Sequence, residues 1–153
     1  MRDLIKPKHA ILYFAGGNRT NIGAGVAILQ LQGMDEAPAQ THEVTKVIWE
    51  DITPHSCEYH GLLAGLQKAL ELEVTHIQVW GDSQLVVKQT NRIWQCNLPH
   101  LQTLRNDALQ MLKRFESKEI KWLSDEKNIK ATALCTRAMN KALREAHGIP
   151  TPA

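Results

Sequence analysis

Hydrophobic residues along this chain fall first into short dense runs and then into stripes at helical spacing. Ala10 to Phe14 is an apolar and aromatic run, followed almost at once by Gly16, Gly17 and Asn18, which predicts a buried strand ending in a turn. Gly23 to Gln32 resumes with Val26, Ile28, Leu29 and Leu31 and shows no helical stripe. A linker-like patch from Gly33 to Gln40 leads into Glu43 to Ile52, where Val44, Val47, Ile48 and Trp49 predict a third strand. Three strands joined by turns make an antiparallel meander.

The period then changes. Tyr59, Leu62, Leu63, Leu66, Ala69 and Leu70 recur at helical spacing, with Ser56 as the expected N-cap. Thr75 to Trp80 is a β-rich run closed by Gly81, and Gln84 to Thr90 reads as a short helix. Pro99 opens another helix with the stripe Leu101, Leu104, Ala108, Met111, Leu112 and Phe115. Glu119 to Leu123 predicts a last strand and Ala131 to Arg144 a last helix. A strand that follows a helix returns to the sheet by a parallel crossover. The order β-β-β-α-β-α-α-β-α therefore predicts an α/β fold: a mixed five-stranded sheet with helices packed on it. One domain over residues 1–146 is expected, with 147–153 as a Pro-containing flexible tail.

Composition narrows the picture only a little. Apolar residues make up 43% and charged residues 22%, as in globular domains. A net charge of +2 names no partner, although one face could still be locally basic. Cys57, Cys96 and Cys135 form no C-x-x-C pair, so reduced thiols and an intracellular setting, cytoplasmic or nuclear, are expected. No secretory signal and no apolar run of membrane-spanning length is visible, and Asn18-Arg19-Thr20 reads as a chance glycosylation sequon.

Four places carry candidate chemistry. The loop Gly16 to Gly23 could bind phosphate through backbone N–H groups, but it joins two strands and lacks the Lys-Ser/Thr pair of a P-loop, so a hairpin turn is the other reading. Glu58 sits just inside a helix start, where the dipole alone would favour an acid. Asp82 follows the end of a strand that reads as parallel, which is where α/β sheets place ligands; N-capping the next helix explains it equally well. The stretch Asn128 to Ala138 leads into the last helix and reads as packing.

Taken together, these places resemble a known family. Gly16-Gly17-Asn18-Arg19-x-Asn21, Glu58-Tyr59-x-Gly61-Leu62-x-Ala64-Gly65-Leu66, Gly81-Asp82-Ser83-Gln84-Leu85-Val86-Val87 and Asn128-x-x-Ala131-x-Ala133-Leu134 stand in the order and spacing of the ribonuclease H family. The likeness is to the type 1 branch, including the version in reverse-transcribing elements and its plant-type relatives, and covers Ala10 to Leu143. It implies hydrolysis of the RNA strand of an RNA/DNA hybrid, with four carboxylates holding two Mg²⁺ ions, or Mn²⁺ in their place.

This sequence departs from that pattern at the metal site. Glu58 and Asp82 match two of the family's catalytic, metal-binding carboxylates, whereas the first-strand aspartate is replaced by Ala15 and the last-helix aspartate by Thr132. The histidine that many relatives carry on the loop before the last helix has no counterpart, and Asp125 and Glu126 lie in that loop outside the family positions. Weakened or lost metal binding, and lost or strongly reduced nuclease activity, are expected. Natural decay of a mobile-element copy and deliberate Asp-to-Ala replacement both yield such a pattern; Thr132 favours decay.

The resemblance also implies a substrate surface apart from the metals. Gly16, Gly17 and Asn18 would approach RNA 2′-hydroxyls, Asn21 and Gln84 match substrate-contacting positions, and Trp94 aligns with a tryptophan of a substrate-facing helical segment. Lys88, Arg92 and Arg105 are candidates for phosphate contact. The partner expected is an RNA/DNA hybrid, with no membrane and a monomeric chain. Two other readings stay open: an active Mg²⁺-dependent ribonuclease H, or a non-catalytic interaction module of a retroelement-type protein.

Overall fold

The computed structural model describes residues 6–33 and 39–148. Five strands form one sheet in the order β3-β2-β1-β4-β5. β1 (His9–Arg19), β2 (Ile22–Leu31) and β3 (Gln40–Ile48) make the antiparallel meander, and β4 (His76–Gly81) and β5 (Ser117–Trp122) add to it in parallel. The crossovers are helical: α1 (Pro54–Glu71) precedes β4, and α2 (Gln84–Thr90) and α3 (Pro99–Leu112) precede β5. A single 3-10 turn, Asp125–Lys127, leads into α4 (Ile129–Ala146).

Each face of the sheet has its own core. Leu12, Phe14, Leu29 and Val79 point to the side covered by α1 and α3, where Tyr59, Leu62, Leu66, Leu101 and Ala108 meet them. Ala15, Ile22, Ala24 and Val26 point the other way, against Ala131, Leu134, Cys135 and Met139 of α4. Covered on both sides, β2 is buried almost throughout, which explains why its sequence shows a continuous apolar run rather than alternation.

Several boundaries differ from expectation. β1 runs on through Gly16 and Gly17 to Arg19, so the turn is only Thr20 and Asn21. Close packing explains Gly16: a Cβ there would lie 2.3 Å from the Glu58 backbone nitrogen. The N-cap of α1 is Thr53 rather than Ser56. Thr53 Oγ1 accepts from the Ser56 N–H, and Ser56 Oγ accepts from the Thr53 N–H, each at 3.1 Å, a capping box that starts the helix at Pro54. The third strand lies earlier than expected and stops at Ile48. Most of the expected linker, residues 34–38, and most of the expected tail, 149–153, lie outside the described residues.

Candidate active site

β4 ends beside the middle of β1, with Phe14 paired to Gly81. Ala15 therefore sits one residue beyond the last position of β1 paired to β4, and Asp82 one beyond the end of β4. The packing of Gly16 on α1 brings Glu58 to the same edge, and the first turn of α4 brings Thr132. Ala15, Glu58, Asp82 and Thr132 all line one cavity of about 570 Å³. Gly16, Gly17, Asn18, Arg19, Gln84, Trp122 and Asp125 complete its polar wall and rim.

Hydrogen bonding fixes the two acids. Glu58 accepts from Ser83 Oγ at 3.1 Å, and its Oε1 lies 2.8 Å from His55 Nδ1. Ser83, not Asp82, caps α2 by accepting from the Val86 N–H at 3.2 Å, so Asp82 is released from the capping role. The Trp122 indole donates to the Asp82 backbone carbonyl at 3.0 Å and ties β5 to this edge. Asn128, almost fully buried, donates to the Phe14 carbonyl at 2.9 Å. Asn128 thus joins β1 to the start of α4.

Burial pushes the Glu58 carboxyl above its ordinary pKa; His55 and Ser83 pull it back, and the neighbouring Asp82 charge pushes it further up. Asp82 is also raised, first by burial, against hydrogen bonds from its own backbone and Asn128, with Asp125 adding like charge. Mutual repulsion of this kind is what a cation between the carboxylates would relieve. The donor set is nevertheless too small. Among the described residues no three His, Cys, Asp or Glu side chains converge as a group able to hold a metal ion. Glu58 is already engaged by His55, and alanine offers no oxygen at position 15. The residues present do not fit a pair of Mg²⁺ ions.

The other expected site residues divide. Gly16, Gly17, Asn18 and Gln84 line the cavity. Asn21 does not; it is exposed in the turn between β1 and β2. Trp94 lies in the irregular segment between α2 and α3 rather than in a helix, 43% exposed, with Lys88 Nζ 4.9 Å from its ring centre. Arg92 follows α2 in a left-handed conformation, and Arg105 is half-buried on α3. Asp125 reaches the cavity after all, while Glu126 lines a separate pocket beside Tyr13 and Lys130. Sequence reasoning missed His55, Ser83 and Trp122 as neighbours of the acids, and it read Asn128 as packing. For Ser83 and His55 the signal was spacing alone, a serine before a short helix and a histidine one turn ahead of Glu58.

Comparison with known proteins agrees with this geometry. The family described as "Reverse transcriptase-like" matches residues 15–138. The "Bifunctional protein Rv2228c" of Mycobacterium tuberculosis is 34% identical over 101 residues, 66% of this chain and 28% of that protein. Its N-terminal RNase H domain, solved as a fusion with maltose-binding protein, superposes with a TM-score of 0.79 at 28% identity, over 90% of this chain and 98% of that one. "Ribonuclease HI" of Halobacterium salinarum is 31% identical over 131 residues, 85% of this chain and 64% of that protein. LC11-RNase H1, isolated from compost and solved in complex with an RNA/DNA hybrid, has a TM-score of 0.72 at 26% identity, over 88% of this chain and 99% of that one. This chain thus spans 28% of the length of its mycobacterial relative and just under two thirds of the halobacterial one. With four motifs in register, the sheet order and the cavity at its edge all in agreement, the chain belongs to the ribonuclease H family, in its reverse transcriptase-like branch.

Proposed function

We propose that this chain recognises RNA/DNA hybrids and that its hydrolysis of the RNA strand is lost or strongly reduced. The observation that carries this reading is the composition of the cavity. Glu58 and Asp82 face an alanine and a threonine where two further carboxylates would be needed to neutralise a pair of divalent ions. Recognition draws on different atoms. Gly16, Gly17 and Asn18 line the cavity, and Gln84, which lines it too, carries donor and acceptor groups suited to a minor groove with its 2′-hydroxyls. Asn21 and the Lys88–Trp94 pair lie farther out and would touch the duplex only beyond the cavity.

The hybrid bound in the LC11 structure supports the choice of partner. Three buried free thiols suit a reducing, intracellular compartment, and a monomeric domain over 1–146 suits a sheet whose cores close within one chain.

Two measurements on one sample test the reading: hybrid cleavage with Mg²⁺ or Mn²⁺, and hybrid binding across a salt series. The unmodified chain should bind hybrid with an affinity that falls steeply with salt, and cleave poorly or not at all. A15D, and more so A15D combined with T132D, should raise cleavage by at least about ten-fold, as expected where a missing metal ligand limits the reaction. Robust cleavage by the unmodified chain would defeat the claim of lost activity. Equal affinity for hybrid and duplex DNA would defeat the claim of recognition and favour an interaction module.

A further inference from the structure

α4 packs on β1, β2 and β3 but not on the far side of the same sheet face, and no described element covers that face over β4 and β5. Much of that strip is polar, with His76, Gln78, Ser117, Glu119 and Lys121 on it by strand alternation, but its carboxyl end is aromatic. The pairing register sets Tyr13, Trp80 and Lys121 in one row across three strands, all on the α4 side. Trp122, 44% exposed, stands in the next row, paired with Gly81. Tyr13, Gln78, Trp80, Trp122 and Lys127 line a hollow of about 530 Å³, with Lys121 beside it against the Trp80 ring. The hollow adjoins the candidate active site: Trp122 lines both, and its indole is fixed to the Asp82 carbonyl.

We propose that this open face binds unpaired nucleotides of a strand that continues past the active-site cavity, with bases stacked on Tyr13, Trp80 and Trp122 and phosphates held by Lys121 and Lys127. Aromatic rings on an uncovered sheet are a sequence-tolerant platform for bases, and flanking lysines supply the attraction to the backbone. Lys121 Nζ stands 5.6 Å from the Trp80 ring centre and also pairs with Glu119 at 3.0 Å. That pair is exposed on both sides, so exchanging the carboxylate for a phosphate costs little. The Trp80 indole N–H is already satisfied by Gln78 Oε1 at 3.1 Å, which leaves its ring, rather than its polar edge, to meet a ligand. The inference rests on the proposed nucleic-acid role of the cavity, and it adds a second, single-stranded subsite beside it.

The test compares a blunt RNA/DNA hybrid with the same hybrid carrying a single-stranded extension of about eight nucleotides, within the usual range of single-strand site sizes. Extensions on each strand and of each polarity are titrated by fluorescence anisotropy against the full chain, W80L and K121A, with thermal melts to verify folding. At least one extension should tighten binding by about five-fold or more, the effect of a single stacked base. W80L and K121A should abolish that gain and leave blunt-hybrid affinity unchanged; K121A, at an exposed site, keeps the test valid if W80L fails to fold. Extensions that add nothing, or a gain that survives both variants, would overturn the proposal. Self-association of the chain that W80L abolishes would give the face to a second copy and overturn it as well. Failure of blunt-hybrid binding, with a free single strand still bound through Trp80, would sink the hybrid-recognition reading and leave this subsite standing.

Discussion

Ala15 is only 4% exposed and packs with Ile22, Val26 and Ala131 beneath α4, yet its methyl group also faces the cavity shared by Glu58 and Asp82. Replacing it with aspartate buries a third negative charge beside two carboxyls that burial already raises. A15D should therefore destabilise the metal-free chain by about 2 kcal/mol, a fall in Tm of roughly 4–8 °C for a chain of this size. Saturating Mg²⁺ should restore most of the loss, because an ion that binds only the folded state stabilises it. A Tm that ignores Mg²⁺ would show that position 15 does not open onto a cation site. Asp82 gives a second reading of the same electrostatics. Its folded pKa lies above the unfolded one, so ionisation opposes folding: the cost is absent below the unfolded pKa and fully present above the folded one. D82N should raise Tm at neutral pH by roughly 2 °C, with the advantage vanishing in acid as native Asp82 takes up its proton. A Tm difference that is flat with pH would show that charge burial at Asp82 is not its source.

At the scale of elements, β1, β2 and α1 meet backbone to backbone through glycines. A Cβ on Gly25 would lie 2.3 Å from the Gly61 nitrogen, and one on Gly61 would lie 2.5 Å from the Ala15 carbonyl oxygen. Backbone cannot step aside, so G25A should cost about 3 kcal/mol or more in urea unfolding. Gly17 points to the other face and meets only Cys135 and Met139 at ordinary contact distance, so G17A should change stability by no more than about 0.5 kcal/mol. Equal losses from the two variants would refute this account of the seam. The contrast also shows where sequence reading ran out. Element order and the parallel crossovers were legible, because hydrophobic period records them directly, and the resemblance to the ribonuclease H family implied the convergence of Glu58 and Asp82. The role of Gly16 and Gly17 was not: two adjacent glycines read as a turn unless it is known that a helix presses on the strand. The same limit hid Thr53 as the cap of α1 and Ser83 as the cap of α2, since a serine or threonine near a helix start is ambiguous by one turn. Whether Asp125 or Glu126 reaches the cavity was open from the sequence, because it depends on a 3-10 turn that no period announces.

The molecule as a whole is unequally built on its two sides. The larger core joins α1 and α3 to the sheet, whereas α4 closes only the smaller cluster over β1 to β3 and starts without a side-chain cap. Its first turns nevertheless carry Thr132, Cys135 and Thr136, one wall of the candidate active-site cavity. Local stability follows buried apolar contact and satisfied helix ends, so α4 should open more readily than α1, which is buried against both β1 and β2 and begins with a capping box. Native-state hydrogen exchange should show amides of α4 at least about ten-fold less protected than those of α1, equivalent to an opening about 1.4 kcal/mol easier. Equal protection would mean that the two sides unfold together and that the cavity wall is as rigid as the core. If α4 opens first, a ligand seated against Thr132 and Gly17 must raise α4 protection more than α1 protection. A hybrid that binds through Lys88 and Trp94 alone would leave both unchanged, so the same exchange experiment distinguishes a substrate held in the cavity from one held only at its outer contacts.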